Sequence, residues 1–162
     1  MHRIGLIGAG AVAQLHARAL ADMPNAELVA CCDGGSGRAQ SLAATYNAKA
    51  YPDYKTLLSA PEVDMVLIAT PSGLHLEPAV LAAERGKHVL CEKPLEITTE
   101  RIDEMIAAHD RAGTALGCIF NYRYDAVVGH IRQALSQQRL GKVTYAAVRV
   151  PWWRDEGYYA GS

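Results

Sequence analysis

The sequence predicts an α/β chain: a doubly wound parallel sheet over residues 1–121, followed over 122–162 by the start of a second, α+β domain. Three observations predict it. Short, almost wholly apolar runs such as VDMVLIA (63–69) offer no polar face, as strands covered on both sides require. Amphipathic stretches of helical period separate these runs, and strand–helix alternation builds parallel sheets through right-handed crossovers. Near residue 120 the alternation stops and gives way to one long helical stretch and the run VTYAAVRVPWW.

Taken in order, Arg3 to Ile7 is the first strand and Ala11 to Ala21 a helix with Val12, Leu15, Ala19 and Leu20 as apolar positions. Ala26 to Cys32 is the second strand, and Ser36 to Tyr46 has helical spacing (Ala39, Leu42, Ala43). Lys49 to Tyr51 is a brief extended piece and Asp53 to Leu58 a short helix. After the strand at 63–69, Leu74 to Arg85 is helical, with Gly86 as its C-terminal cap. Strand 88–91, helix 99–111 with Gly113 beyond its end, and strand 115–120 complete the sheet. Tyr124 to Gln138 then reads as a long helix (Val127, Val128, Ile131, Leu135), Gly141-Lys142 as a turn, and 143–153 as a long strand. Thr144, Ala146, Val148 and Val150 would share one face of that strand. A strand of this length needs partners. The sequence places them in another chain or in further sequence, so the second domain is expected to be incomplete here and the protein to be a homo-oligomer or to pair with missing C-terminal sequence.

Half of the 162 residues are hydrophobic, 20% are charged and the net charge is -1, an ordinary globular composition. No basic patch interleaved with aromatics points to nucleic acid, and no apolar run reaches the roughly 18 residues of a membrane span. The opening MHRIGLIGAGAVAQ has the basic and apolar parts of a secretory signal, but Gly5, Gly8 and Gly10 fit a strand and turn instead. None of the four cysteines forms a CxxC, and adjacent Cys31 and Cys32 point to opposite faces of their strand. Buried, reduced thiols and a cytoplasmic location are expected, with no metal site.

Between the first strand and helix stands Gly8-x-Gly10-x-x-Ala13. Gly8 permits a tight turn, Gly10 lets the backbone approach a pyrophosphate, and Ala13 lets the helix lie close to its strand. A pyrophosphate would then sit on the helix N-terminus at Ala11 and Val12, where free N–H groups and the dipole favour negative charge. Asp33 ends the second strand, 25 residues after Gly8, where a carboxylate can accept the ribose hydroxyls. Strand, turn, helix and acid together define a Rossmann-type dinucleotide site. A carboxylate there disfavours a 2′-phosphate, so NAD is the expected cofactor, while Arg38 leaves NADP open.

Ligands of such sheets bind beyond the carboxyl ends of the strands. Three segments fall there: ATPSGLH (69–75), CEKP (91–94) and FNYR (120–123). Thr70, Pro71 and Ser72 would shape the cofactor floor through their backbone. His75 would cap the next helix or touch the cofactor, although a lone histidine at a helix start is more often structural. Glu92, Lys93 and Asn121 would approach the nicotinamide, and Arg123 the substrate. His16, His109 and His130 fall within helices and read as packing or surface residues.

The glycine motif, the acid after the second strand, ATPSGLH and GKHVLCEKPL together resemble the N-terminal half of the glucose–fructose oxidoreductase, inositol dehydrogenase and MocA family. The resemblance is close over residues 2 to about 124 and looser beyond. It implies a dehydrogenase that moves hydride between a nicotinamide and a sugar, polyol or nucleotide-sugar hydroxyl. In the family the lysine of Glu-Lys-Pro sits beside the nicotinamide and transfers the proton, so the resemblance gives Lys93 the catalytic role and a contact to substrate. Physical chemistry agrees, because partial burial beside a cationic nicotinamide disfavours an ammonium and frees the amine to act as a base. Glu92 would orient rather than titrate. WWRDEGYY is similar to members that act on nucleotide-sugar uronates.

The sequence also departs from the family. Members run to about twice this length and carry a downstream Asp-x-x-x-His pair; none of Asp103, Asp110, Asp125 and Asp155 has a histidine four residues on. Two readings therefore stay open, the front part of such a dehydrogenase and a non-catalytic dinucleotide module that works with a partner chain.

Overall fold

Six parallel strands form one sheet in the order β3-β2-β1-β4-β5-β6. They are β1 (His2–Ile7), β2 (Ala26–Cys32), β3 (Lys49–Tyr51), β4 (Met65–Ile68), β5 (His88–Cys91) and β6 (Leu116–Cys118). Five helices alternate with them: α1 (Ala11–Ala21), α2 (Arg38–Tyr46), α3 (Tyr54–Leu58), α4 (Leu76–Glu84) and α5 (Thr99–Ala112). Two more follow, α6 (Ala126–Ser136) and α7 (Glu156–Ala160). This is a computed structural model, and it describes residues 1–160.

The chain divides into two compact units, Met1–Ile119 and the residues from Phe120 onward. In the first, both faces of the sheet are covered. On one face Ile4, Leu6, Leu28, Cys31 and Leu67 meet Ala13, Ala17 and Leu20 of α1 and Ala39, Leu42 and Ala43 of α2. On the other Ile7, Cys32, Val66, Ile68, Val89 and Cys91 meet α3, α4 and α5 through Leu57, Leu58, Leu76, Ala79 and Met105. Adjacent Cys31 and Cys32 thus enter different cores, as strand alternation requires. Each fully buried Leu or Ile contributes about 1.5–3 kcal/mol by leaving water.

Most boundaries fall within two residues of those expected, and the departures have local causes. Helix α2 begins at Arg38 rather than Ser36 because the Asp33 carboxylate accepts from the Gly35 N–H (2.8 Å), the Ser36 hydroxyl (2.7 Å) and the Ala39 N–H (2.9 Å), which winds 33–37 into a loop. Asp53 stands outside α3 as its N-cap, accepting from the Thr56 N–H at 2.7 Å. A short 3-10 turn, Ser72–Leu74, precedes α4 instead of belonging to it.

The second unit differs more. A 3-10 turn, Asn121–Tyr124, leads into α6, which Asp125 caps by accepting from the Val127 and Val128 N–H groups at 2.8 and 3.3 Å. No residue of α6 is buried. The long strand expected over 143–153 is absent, and among the described residues the second unit holds no strand. A strand is defined by a ladder to a neighbour, and the β-rich composition of this segment finds none. Tyr145, Val148 and Val150 remain 84%, 87% and 70% exposed. Beyond them Arg154 stacks on Trp152 (3.8 Å) and Tyr158 (4.6 Å).

Candidate cofactor-binding site

The strand order reverses between β1 and β4, and the segments leaving their carboxyl ends frame a cleft of about 610 Å3. Gly8 sits at its base with φ +105; a Cβ there would lie 2.5 Å from the Ala69 carbonyl oxygen, so only glycine lets the β1–α1 turn pass β4. Gly10 is the N-cap of α1, and a Cβ on it would meet nothing within 4 Å. Among the described residues no side chain caps α1, and its first turn holds no acid. Ala11 and Val12 are exposed there. An uncapped, open helix N-terminus beside a cleft is the arrangement that accepts an anion such as a pyrophosphate.

Asp33 lines the same cleft with Gly34, Pro52, Tyr54, Leu74 and Pro78. Its carboxylate is held at about pKa 2, first by the Ser36 hydroxyl and then by the Ala39, Gly35 and Arg38 amides. Oδ2 accepts two of the loop's hydrogen bonds and Oδ1 one, which leaves Oδ1 capacity for a ribose hydroxyl. These features fit a dinucleotide. Arg38 does not join the cleft: its Nε donates to Ser36 Oγ at 2.8 Å, and its side chain lines a separate hollow between α1 and α2.

The remaining expected residues divide. Thr70 lines the cleft, and its hydroxyl donates to the Leu74 carbonyl at 3.2 Å. Pro71 and Ser72 open the 3-10 turn outside the lining. His75 is a correction, since it is 1% exposed and has no face for a cofactor. Its Nδ1 lies 3.1 Å from both the Pro94 and Leu95 carbonyls and its Nε2 2.9 Å from the Thr70 carbonyl, so the ring is spent tying two loops together. Nor does its side chain cap α4. Glu96 does so instead, its buried Oε1 accepting from the His75 and Leu76 N–H groups at 3.3 Å. Burial opposes the Glu96 charge, but bonds from Arg101 and from the Ile97 and Leu76 amides outweigh it and hold the pKa at about 2.

Strand β5 delivers Glu92 and Lys93 to the same end of the sheet, with the Glu92 N–H on the Ile68 carbonyl at 2.9 Å. Lys93 is exposed, and its ammonium has no hydrogen-bond or ion-pair partner among the described residues. The partial burial expected for it is therefore not supplied by these residues, because the chain leaves the sheet at Glu92. Glu92 is engaged on both oxygens, by the Lys93 N–H at 3.0 Å and by His16 Nε2 at 2.8 Å. Asn121 and Arg123 lie exposed on the 3-10 turn of the second unit.

The sequence reading puts His16 among packing or surface residues and does not single out Glu96. His16 had a usable signal, for it shares the helical stripe of Ala13, Ala17 and Leu20 that faces the sheet. Glu96 had none. Burial raises the Cys31 thiol to about 11 and those of Cys32 and Cys91 to about 12, so none is poised as a nucleophile. Among the described residues no group of His, Cys, Asp and Glu could hold a metal, and no helix is long and apolar enough to cross a membrane.

An open helix N-terminus, an acid at the end of β2 and a cleft at the switch point define a dinucleotide-binding α/β domain. The chain belongs to the Gfo/Idh/MocA oxidoreductase family: its NAD-binding Rossmann-fold model matches residues 2–120. The chain is 36% identical over 143 residues to glucose-6-phosphate 3-dehydrogenase of Bacillus subtilis, covering 88% of this chain and 40% of that protein. It is 33% identical over 141 residues to myo-inositol 2-dehydrogenase of Thermotoga maritima, covering 86% and 42%. Among solved structures, the WlbA dehydrogenase of Bordetella pertussis in complex with NADH and UDP-GlcNAcA superposes with a TM-score of 0.95 at 33% identity, covering 99% of this chain and 47% of that one. The chain thus spans somewhat under half the length of these relatives.

Proposed function

We propose that this chain is the cofactor-binding part of an NAD-dependent dehydrogenase acting on a sugar, polyol or nucleotide-sugar hydroxyl. The observation that carries the reading is the meeting, at one end of the sheet, of the uncapped α1 N-terminus, the cleft with Asp33, and Lys93 with its unpaired ammonium. The relatives supply the substrate class: one acts on glucose 6-phosphate, one on myo-inositol, and one is bound to a nucleotide-sugar uronate.

In this reading the N–H groups of α1 receive the pyrophosphate, and Asp33 Oδ1 accepts a ribose hydroxyl. Bound NAD supplies the hydride acceptor. Lys93 Nζ takes the substrate hydroxyl proton as the carbinol C–H bond breaks, and returns it in the reverse direction. Glu92 holds the backbone at Lys93 through the bond to its N–H. Four free cysteines, with Cys31, Cys32 and Cys91 buried, support a cytoplasmic location. The apolar side chains left exposed on α6 and over 143–153 support pairing with a second copy or with further sequence of the same protein.

The test is NADH and NADPH titration of wild type and Lys93→Met, with turnover of inositol, glucose 6-phosphate and UDP-GlcNAcA assayed in the full-length protein. Saturable binding unchanged by Lys93→Met, with turnover lost by about 100-fold or more, is expected. Binding without turnover of any hydroxyl substrate would favour a non-catalytic dinucleotide module. Equal turnover in the variant would remove Lys93 from the chemistry.

A further inference from the structure

We propose that His16 is a positioning residue for Lys93, acting through Glu92 to tie the helix that receives the cofactor phosphates to the strand that carries the lysine. The inference rests on the role proposed above for Lys93.

The chain leaves the sheet at Glu92. Up to that residue its backbone is pinned: the Glu92 N–H donates to the Ile68 carbonyl at 2.9 Å, and the Cys118 thiol lies 3.9 Å from the Glu92 carbonyl. Past it, the one bond that holds Lys93 among the described residues runs from its N–H to Glu92 Oε2, at 3.0 Å. The placement of the lysine therefore depends on where the Glu92 carboxylate points.

His16 decides that. Its Nε2 lies 2.8 Å from Glu92 Oε1, across 76 residues of sequence. An ionised carboxylate can only accept, so Nε2 carries the proton and donates. Both side chains are largely shielded, at 19% and 15% exposure, which strengthens a bond to a charged acceptor relative to an exposed pair. With one oxygen on His16 and the other on the Lys93 N–H, the carboxylate has a single orientation. Without His16, the free oxygen turns toward water and the bond to Lys93 competes with solvent. His16 also lies less than two turns from the α1 N-terminus, so cofactor and lysine are referred to the same helix. A reacting amine displaced by about 1 Å can cost about 100-fold in rate.

The experiment uses full-length protein carrying His16→Ala or His16→Gln, the glutamine keeping a side-chain donor. It reads NADH affinity, hydrogen exchange at the Lys93 amide, and kcat and KM on whichever hydroxyl substrate the wild type turns over. His16→Ala is expected to hold the NADH Kd within about twofold while speeding Lys93 amide exchange about tenfold and lowering kcat about 10- to 100-fold. His16→Gln is expected to restore most of both. Wild-type exchange at Lys93 in His16→Ala would overturn the proposal, as would a loss of NADH affinity that matches the loss of kcat. A wild type that binds NADH but turns over nothing would sink the proposed function alone, because the exchange measurement still decides whether His16 sets the geometry at Lys93.

Discussion

The two units of this chain carry the same kind of apolar helical stripe and put it to opposite uses. In α4 the stripe Leu76, Ala79, Ala82 and Ala83 is buried against the sheet. In α6 the stripe Val127, Ile131 and Leu135 stays 65%, 53% and 45% exposed. The spacing is helical in both, and both helices form. What differs is the presence of an opposing surface. Amphipathic spacing tells which face of a helix seeks cover. It does not tell whether cover is in the same unit, and most of a helix's tertiary stability comes from that cover.

The largest test of this contrast pairs two glycines of positive φ. Gly8 (φ +105) meets the Ala69 backbone, whereas Gly141 (φ +58) has nothing within 4 Å of its would-be Cβ. Gly8→Ala adds a backbone clash to conformational strain, and a loss of about 3–5 kcal/mol in urea unfolding is expected. NADH binding should go with it. Gly141→Ala carries the strain alone, in the unit whose α6 buries nothing, so its cost of about 1 kcal/mol should stay local and leave that urea transition unchanged. Equal losses would break the claim that the approach of the Ala69 backbone, and not positive φ alone, makes glycine obligatory at position 8.

Charge gives the next test. Glu96 is buried in the first unit, and its pKa is depressed from 4.5 to about 2. A carboxylate depressed on folding stabilises the fold above its unfolded pKa, and that contribution disappears as pH falls through the folded value. The Glu96 contribution is therefore complete above about pH 4.5 and lost between there and about pH 2. Glu96→Gln should lower stability by about 2 kcal/mol at pH 7, because Arg101 and the α4 N-terminus lose a charged acceptor. It should also flatten the acid limb of the urea-midpoint profile. An acid limb superimposable on that of the wild type would show that Glu96 is not the group titrating.

The contrast also explains what could be read from the sequence. The strand bounds of β2 and β5 and the helix bounds of α1 were legible because apolar runs of fixed period end at glycines, acids or turns. The start of α2 was not, since it depends on the Asp33 side chain capturing Ser36 and Ala39. The 143–153 segment has the composition of a strand, but composition carries no information about a ladder partner. At the site, the turn around Gly8 and the placement of Asp33 and Thr70 at strand ends follow from local spacing. That His75 ties two loops rather than meeting the cofactor was not legible, because the carbonyls that occupy its ring stand 19 and 20 residues further along the chain. The His16–Glu92 contact lies beyond any local pattern, as does the exposure of Lys93 where the sheet ends.

The smallest expected effect separates the units most cleanly. Thr98 caps α5 and Asp125 caps α6, each accepting from the first turn of its helix. Removing either cap costs about 1 kcal/mol locally. Helix α5 buries Met105, Ala108 and His109, so it opens only when the first unit opens, and Thr98→Ala should lower the urea midpoint of that unit. Helix α6 buries nothing, so Asp125→Ala should be invisible to that midpoint. Instead it should speed hydrogen exchange along α6 about fivefold, the equivalent of 1 kcal/mol in a local opening equilibrium. The same kind of bond would then register globally in one unit and locally in the other. If Asp125→Ala lowered the midpoint as much as Thr98→Ala, α6 would be unfolding together with the sheet, and its exposed stripe would have found its cover after all.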